Sequence, residues 1–379
     1  MSGPEELKQG LEGVLVAESS LSRIDGDAGE LAYRGYAIED LARQASYEEV
    51  IYLLWNGSLP DREELASYTE AMASQRALAD GVKRTVARLG AVDEQPMAAM
   101  RTIVSTLSAY DPDSDADPHD TAANLRKACR LVAKLPTALA AYSRARAGKD
   151  PVEPTEELGH AANFLYMLNG TRPDQVLADT FDMALVLHAD HGLNASTFTA
   201  RVTCSTLADL HSGVTAAVGA LSGGLHGGAN QDVMEMLKEV DSAEQDPLGW
   251  VTDALAEGRR IPGFGHRVYS VPDPRARILS ERSKALGEAG EMKWYEMSRT
   301  IEEHLSAERA LAPNVDFYSA STYYQMGIPI DTYTPIFALA RVGGWIAHIF
   351  EMLEDNRLIR PRSRYVGPTD REFRPLAER

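Results

Sequence analysis

The spacing of apolar side chains changes character once along the chain, near residue 35. Before that point Val14 and Val16 alternate with polar neighbours. Leu31 and Tyr33 alternate likewise after the turn-rich run Asp25-Gly26-Asp27-Ala28-Gly29, and period two is the signature of strands. Beyond residue 35 the period is helical. Ser46 precedes Tyr47, Val50, Ile51, Leu53 and Leu54, with Glu49 at the reciprocal capping-box position, so a helix opens there. Asp61 caps a long helical stretch to about Leu89, and Met97 to Leu107 keeps the same periodicity. Tyr110 to Pro118, YDPDSDADP, is an acidic loop. Further helices are expected over 120–147, 155–168 (stopped by Asn169-Gly170) and 173–187 (opening on Pro173). Others are expected over 195–220, 229–239, 246–257, 273–288, 291–306, 319–326 and 335–353. With no internal repeat and no alternation of strand and helix, the pattern predicts an all-α fold with a short N-terminal β segment.

At 379 residues the chain exceeds the usual single-domain size, which predicts two domains or a large domain carrying a smaller one. Apolar residues make up 44% and charged ones 25%, enough for a sizeable core and too apolar for a disordered chain. The start, MSGPEELKQGLEGV, lacks the basic and apolar regions of a signal peptide. Pro335 to Leu353 nearly reaches membrane-spanning length, but Arg341, His348 and Glu351 interrupt it, so a buried helix is expected there. Cys129 and Cys204 have no CxxC spacing, which argues against a disulfide framework or zinc site and for a reducing compartment. No membrane association and a cytoplasmic location are expected.

Charge narrows the function classes. Asp and Glu number 56 against 38 Lys and Arg, a net charge of −18, so a nucleic-acid footprint is not expected. Only Lys8, Lys83, Lys127, Lys134, Lys149, Lys238, Lys284 and Lys293 are lysine; the other 30 cations (38 − 8) are arginine. An acidic, lysine-poor surface suits a high-salt cytoplasm, where screening makes self-repulsion cheap. An ordinary acidic protein of a GC-rich genome has the same bias.

No GxGxxG or GxxxxGK[ST] occurs, which argues against Rossmann and P-loop sites. Candidate chemistry lies instead in polar breaks between helices. His226, between Gly223-Gly224 and Gly227-Gly228, opens a helix, where a neutral imidazole could donate to a developing enolate oxygen; a glycine hinge is the plain alternative. His266 follows Pro262-Gly263-Phe264-Gly265 and by itself reads as a turn histidine. His188 and His191, with Asp190 between them, could ligate a metal or form a satisfied polar pair. Arg341, inside the apolar helix, needs an anion, either a structural carboxylate or a substrate. Arg360-Pro361-Arg362-Ser363-Arg364 is a second cationic cluster, or solvated tail. Asp316 among apolar and aromatic neighbours could be a base of raised pKa, or the cap of a helix starting near Ser319.

Taken in order, HADHGLNAST (188–197), SGGLHGGANQDV (222–233), IPGFGHRVYSVPDPR (261–275), NVDFYSA (314–320), ARVGGW (340–345) and RPRS (360–363) resemble the citrate synthases. The similarity continues in NFLYMLNG (163–170) and in the N-terminal GLEGVLVAESSLSRIDGDAGELAYRGY, and its compact length resembles the archaeal and bacterial form. The resemblance implies an all-α homodimer with a large domain, 1–221 and 321–379, and a smaller mobile domain, 222–320. It implies His226, His266 and Asp316 as the catalytic trio. It further implies that His191, Arg275, Arg341 and Arg360 hold the carboxylates of oxaloacetate and citrate, Arg360 completing the partner subunit's site. Arg260, Ile261, Pro262, Gly263 and Phe264 match the loop that meets coenzyme A, whose acetyl thioester is the co-substrate; no permanent cofactor and no metal are implied. Where the family often has a basic residue for coenzyme A phosphates, this chain has Ser270 and Val271, which shifts that expectation to Arg267, Arg277 or Lys293. A 2-methylcitrate synthase using propionyl-CoA shares these motifs. A metallohydrolase built on His188, Asp190 and His191, and a non-catalytic helical interaction protein, are the more distant alternatives.

Overall fold

The computed structural model describes residues 7–243, 246–266 and 268–379. The chain is 61% helical with 3% strand. The β segment is a hairpin of β1 (Ser22–Asp25) and β2 (Glu30–Tyr33), paired antiparallel from Ser22↔Tyr33 to Asp25↔Glu30, with β3 (Tyr36–Ala37) added to β2. Asp25 Oδ1 closes the turn by accepting the N–H groups of Asp27 (3.2 Å) and Ala28 (2.9 Å). Val14 and Val16 do not form the expected strand. They are 38% and 44% exposed, with no strand alongside and no face buried, so alternation alone had nothing to stabilise it.

The helices follow in chain order: α1 (Ile38–Gln44), α2 (Tyr47–Asn56), α3 (Arg62–Ser74), α4 (Asp80–Ala91) and α5 (Pro96–Ser108), then α6 (Thr121–Arg146), α7 (His160–Asn169) and α8 (Gln175–His188). After them come α9 (Ala195–Cys204), α10 (Leu210–Leu221), α11 (Ala229–Ser242), α12 (Pro247–Ala256), α13 (Pro274–Ala289), α14 (Lys293–Arg309), α15 (Val315–Gln325) and α16 (Tyr333–Glu354). Ser46 and Glu49 form the predicted capping box, and Asp61 with Glu64 forms another. Four expectations need correction. The stretch from Asp61 to Leu89 is two helices, parted at residues 75–79, and 195–220 is also two, because Asp209 caps a new helix by accepting from Ser212 N–H (3.0 Å). Residues 155–159 are not helical, and α7 starts at His160. The helix expected at 319 starts at Val315, because Asn314 Oδ1 accepts the Asp316 N–H (3.0 Å); Asp316 therefore lies in the first turn rather than capping a later one.

Helix α16 is the axis of the core. Tyr47 Oη donates to the carbonyls of Leu339 and Ala340 (3.0 Å each), and Trp55 Nε1–H donates to Gly343 O (2.9 Å). Two adjacent glycines let neighbours reach its backbone: a Cβ on Gly343 would lie 2.2 Å from Ile51 Cδ1, and one on Gly344 2.2 Å from Ala189 O. Residues 330–354 are long and apolar enough to cross a membrane, but the segment is largely buried inside the protein, as expected from its interrupting polar residues. The fold has two domains. Helices α11 to α15 pack mainly on one another, while the earlier helices gather around α16. The expected boundary at 222 falls at the C-terminal cap of α10; the one at 320 falls inside the continuous helix α15.

Candidate active site

The breaks that follow α8 and α10 and the first turn of α15 lie around Arg341 in the middle of α16, whose charge acts on His191, His226 and Asp316, and the 260–273 loop meets His191. The floor of the site is set by Asp190, a fully buried carboxylate paired with His348 Nε2 (3.2 Å), which also accepts from Ser22 Oγ and Gly192 N–H. Those bonds hold the chain around His191, whose ring lies 5.3 Å from that of His266 and whose Nε2 is 3.3 Å from Tyr269 Oη. Burial holds the His191 imidazolium pKa well below the usual value, and the nearby charges of Arg275 and Arg341 lower it further.

His226 sits on the turn between α10 and α11. Its Nε2 faces the backbone N–H of Ser196 (3.2 Å) and shares the Ser196 hydroxyl (2.8 Å) with Asn194, while Trp345 Nε1–H donates to the same hydroxyl (3.1 Å). A backbone N–H only donates, so Nε2 is an acceptor and the ring proton belongs on Nδ1. Burial lowers the pKa to about 4, with Arg341 the second cause. His226 is thus neutral, as expected at a helix start, but desolvation is the larger reason. His266 has the opposite tautomer: its Nδ1 accepts from Val268 N–H (3.0 Å) and Tyr269 N–H (3.1 Å), leaving the proton on Nε2. Its pKa is also lowered, first by burial and then by Arg275.

Asp316 is half-buried in the first turn of α15. Burial raises its pKa to about 6 against the opposing charges of Arg275 and Arg341. Asn314 joins this turn to the His266 loop, giving its N–H to Gly263 O (2.9 Å) and its Nδ2–H to Gly265 O (3.0 Å). Gly263 itself has φ +81°, and a Cβ there would lie 2.8 Å from the Phe317 ring. Arg275, 2% exposed, is held by a bidentate pair with Asp273 (3.0 and 2.8 Å); the same carboxylate accepts Val315 N–H (3.2 Å) at the start of α15.

Arg341, 1% exposed, has no ion pair with a carboxylate among the described residues, so the structural pairing offered as one explanation of it is not found. Its Nε donates to His188 O (2.6 Å), its guanidinium lies 4.6 Å from the Phe337 ring, and burial lowers its pKa to about 10. Arg360 is exposed beyond α16 and joins none of these groups. In the 260–264 loop Arg260 is exposed, Ile261 and Gly263 are buried, Pro262 is half-buried, and Phe264 stacks edge-on to Phe317 at 4.6 Å and bridges to Pro313. Of the cations considered for coenzyme A phosphates, Arg277 pairs with Glu39 (3.4 Å) and Lys293 with Asp241 (3.0 Å), while Arg267 lies outside the described residues. The proposed metal trio is committed elsewhere: His188 Nδ1 faces Ala184 O (2.7 Å) and Asp190 is bound to His348. Among the described residues no three His, Cys, Asp or Glu side chains are grouped to hold an ion.

Ser196, Tyr269, Asp273, Asn314 and Trp345 were not singled out from the sequence. Each lies within a quoted motif, but their roles depend on contacts 30 to 149 residues away or on backbone turns. Two imidazoles of lowered pKa and opposite tautomers, an acid of raised pKa and two buried arginines, set in a two-domain helical fold, bring together the groups that anion binding and proton transfer need. The chain matches the family described as "Citrate synthase, C-terminal domain" over residues 10–362, and it belongs to the citrate synthase family. It is 66% identical to the citrate synthase of Haloferax volcanii over the full length of both. It superposes on the crystal structure of citrate synthase from Pyrobaculum aerophilum with a TM-score of 0.91 at 41% identity, covering 97% of this chain and 94% of that one. For the ternary complex of carboxymethyl coenzyme A and oxaloacetate with citrate synthase from Thermoplasma acidophilum, the TM-score is 0.90 at 33% identity, covering 99% of this chain and 100% of that one.

Proposed function

We propose that the cleft condenses acetyl-CoA with oxaloacetate and hydrolyses the resulting thioester to citrate and free coenzyme A. Asp316 takes a proton from the thioester methyl group while His226 Nδ1–H donates to the thioester oxygen, so charge leaving the C–H bond is met by a fixed donor. The enolate carbon attacks the ketone carbon of oxaloacetate. His266 Nε2–H polarises that ketone and its proton passes to the new alkoxide. Water then adds to the thioester carbonyl of citryl-CoA, giving one proton back to His266, and the thiolate leaves with the proton held by Asp316 as coenzyme A.

Arg275, Arg341 and His191 hold the carboxylates of oxaloacetate. Arg360, exposed and outside its own cleft, serves the site of a second copy in a homodimer. The loop of Arg260, Ile261, Pro262, Gly263 and Phe264 meets coenzyme A; its backbone, opened by Gly263, rather than a cluster of cations, makes the contact. The mobile domain runs from 222 to the end of α15 at Gln325, since a hinge inside a helix would break its hydrogen bonds. Two unpaired cysteines suit a cytoplasmic setting, and the acidic surface a salt-rich one.

The opposite tautomers of His226 and His266, each set by backbone N–H groups, carry this assignment, because the reaction needs two separate neutral donors. Thiol release with oxaloacetate plus acetyl-CoA or propionyl-CoA tests it. One methylene distinguishes the two thioesters and is worth about 1–3 kcal/mol in a pocket, so a kcat/KM advantage of roughly 10-fold or more for acetyl-CoA is expected. A preference for propionyl-CoA would make the product 2-methylcitrate instead.

A further inference from the structure

The tip of the β1–β2 hairpin lies in the large domain by chain position, yet it meets the segment that follows His266. Ser270 donates its N–H to Gly26 O (3.0 Å) and its hydroxyl to Asp27 Oδ1 (2.7 Å). A Cβ on Gly26 would lie 2.1 Å from Val268 O, and one on Gly29 would lie 2.9 Å from Val271 Cγ2. The two backbones therefore touch with no room for a side chain between them.

The other end of the hairpin is anchored. Ser22 Oγ donates to Asp190 Oδ2, Tyr33 Oη donates to Asp190 O (2.8 Å), and Asp190 is paired with His348 of α16. The segment caught at the tip is the one that fixes His266, since the N–H groups of Val268 and Tyr269 set its tautomer and Tyr269 Oη reaches His191. A continuous run of contacts thus joins the floor beneath His191 to the ring of His266. Other contacts crossing between the domains nearby include the exposed ion pairs of α1 with α13, Arg43–Glu281 (2.7 Å) and Arg277–Glu39 (3.4 Å), and the contact of Arg282 Nε with Met183 Sδ (3.3 Å). Such pairs weaken where the Debye length is about 3 Å, near 1 M salt, whereas backbone contact does not.

We propose that the hairpin turn at Asp25–Gly29 is the latch of domain closure, and that Gly26, Asp27 and Ser270 are positioning residues acting through Val268 and Tyr269 on His266. This rests on the role proposed above for His266. It gives Ser270, which stands where a phosphate-binding cation was expected, a different task.

Substitution combined with small-angle scattering tests it. Losing one hydrogen bond at this joint is expected to lower kcat about tenfold in Ser270→Ala, with recovery in Ser270→Thr, which keeps the hydroxyl. Gly26→Ala, which must push Val268 away, is expected to cost about 100-fold in kcat. It should also raise the acid limb of the kcat/KM profile as His266 loses its fixed donors. Oxaloacetate should contract the wild-type chain but not Gly26→Ala. If Gly26→Ala contracts and turns over like wild type, or if Ser270→Ala and Ser270→Thr are equally impaired, the latch is wrong. A wild-type chain that binds oxaloacetate calorimetrically without contracting would sink domain closure itself and the latch with it. If Gly26→Ala fails to fold, the Ser270 pair alone decides.

Discussion

The backbone N–H of Ser196 points at Nε2 of His226 from 3.2 Å, and this one relationship decides which face of the imidazole can donate. With Nε2 occupied as an acceptor, only Nδ1–H remains for a ligand. Ser196→Ala keeps the backbone N–H and is expected to cost less than about tenfold in kcat. His226→Ala removes the donor and is expected to cost roughly 100- to 1,000-fold, the usual loss for one oxyanion contact. Steady-state kinetics on the two variants check this, and similar losses in both would show that the hydroxyl, not the ring, matters.

The same ring carries a stability consequence. Its folded pKa of about 4 lies below the ordinary histidine value of 6.5. Between those values the unfolded chain takes up a proton that the folded one refuses, so stability is lost as pH falls through this window. His191 and His266 shift in the same direction, and His188 is held near 3. The melting temperature should drop steadily from pH 6.5 to pH 4, and less steeply in His226→Gln.

Asp316 behaves in the opposite sense. Burial raises its pKa to about 6, so the folded state binds the extra proton between the ordinary carboxylate value of 3.8 and 6. Stability from this group therefore declines as pH rises through that window, and the cost of a desolvated carboxylate is complete by pH 7. Asp316→Asn should melt higher than wild type at pH 8 and equally near pH 4. Its kcat should fall by about 1,000-fold or more at every pH, because the amide cannot take the methyl proton. The wild-type kcat/KM should drop about tenfold per pH unit below 6, as for loss of one base. Calorimetry and a pH-rate profile measure both; an Asn variant that melts lower at pH 8 would contradict the buried-charge account.

Much of this was legible in the sequence, for physical reasons that differ by residue. Ser46 with Glu49, and the apolar run of α16, announce themselves through local spacing. His226 and Asp316 drew notice as titratable groups in a glycine-rich break and an apolar setting, whereas His266 by itself read as a turn histidine and became a candidate only through the resemblance. Asp316 was misplaced on its helix because the side chain of Asn314, two positions earlier, competes better for the cap. The split at Leu207 was hidden by unbroken apolar periodicity; Leu207 itself sits at φ +66°, a conformation that only its surroundings impose. Asp273 was invisible because nothing local says that one carboxylate will hold both Arg275 and the N–H of Val315, 42 residues away.

Arg341 offers a test of whether its charge is kept for a ligand. It is buried, has no carboxylate partner among the described residues, and its pKa is lowered by desolvation. An uncompensated buried cation destabilises the free protein, whereas an apolar chain of like length does not. Arg341→Met should therefore melt higher than wild type without substrate. Oxaloacetate should raise the wild-type melting temperature by mass action and leave that of Arg341→Met unmoved. If the variant melts several degrees lower and still responds to oxaloacetate, Arg341 is structural.

Gly344 tests the packing that holds the floor of the cleft. A Cβ there would stand 2.2 Å from Ala189 O and 2.9 Å from Asp190 Oδ1, and neither atom belongs to a flexible chain end. Asp190 is locked by His348 and Ser22, so the strain must pass into the segment carrying His188 and His191. Gly344→Ala is expected to destabilise the protein by about 1–3 kcal/mol, the range for overpacking. It should also raise the KM for oxaloacetate more than that for acetyl-CoA, since His191 and Arg341 are both displaced. Equal changes in the two KM values would place the disturbance elsewhere.

The surface charge makes the last prediction. A net charge of −18 on 379 residues repels itself over tens of ångströms in dilute buffer, where the Debye length is about 30 Å at 0.01 M, but hardly at all at about 3 Å near 1 M. Ion pairs offset this only locally; Arg126 and Arg130 gather Asp111 and Asp113, but most carboxylates are solvated. The two-domain arrangement is the weak point, because repulsion between domains opposes closure before it opposes folding. Turnover should therefore fall first as potassium chloride is diluted from about 2 M to 0.05 M, with helical circular dichroism intact, and should return on adding salt. Loss of helix and turnover together would put the salt requirement in the core instead, and full turnover in dilute buffer would mean that the acidic composition reflects genome bias alone.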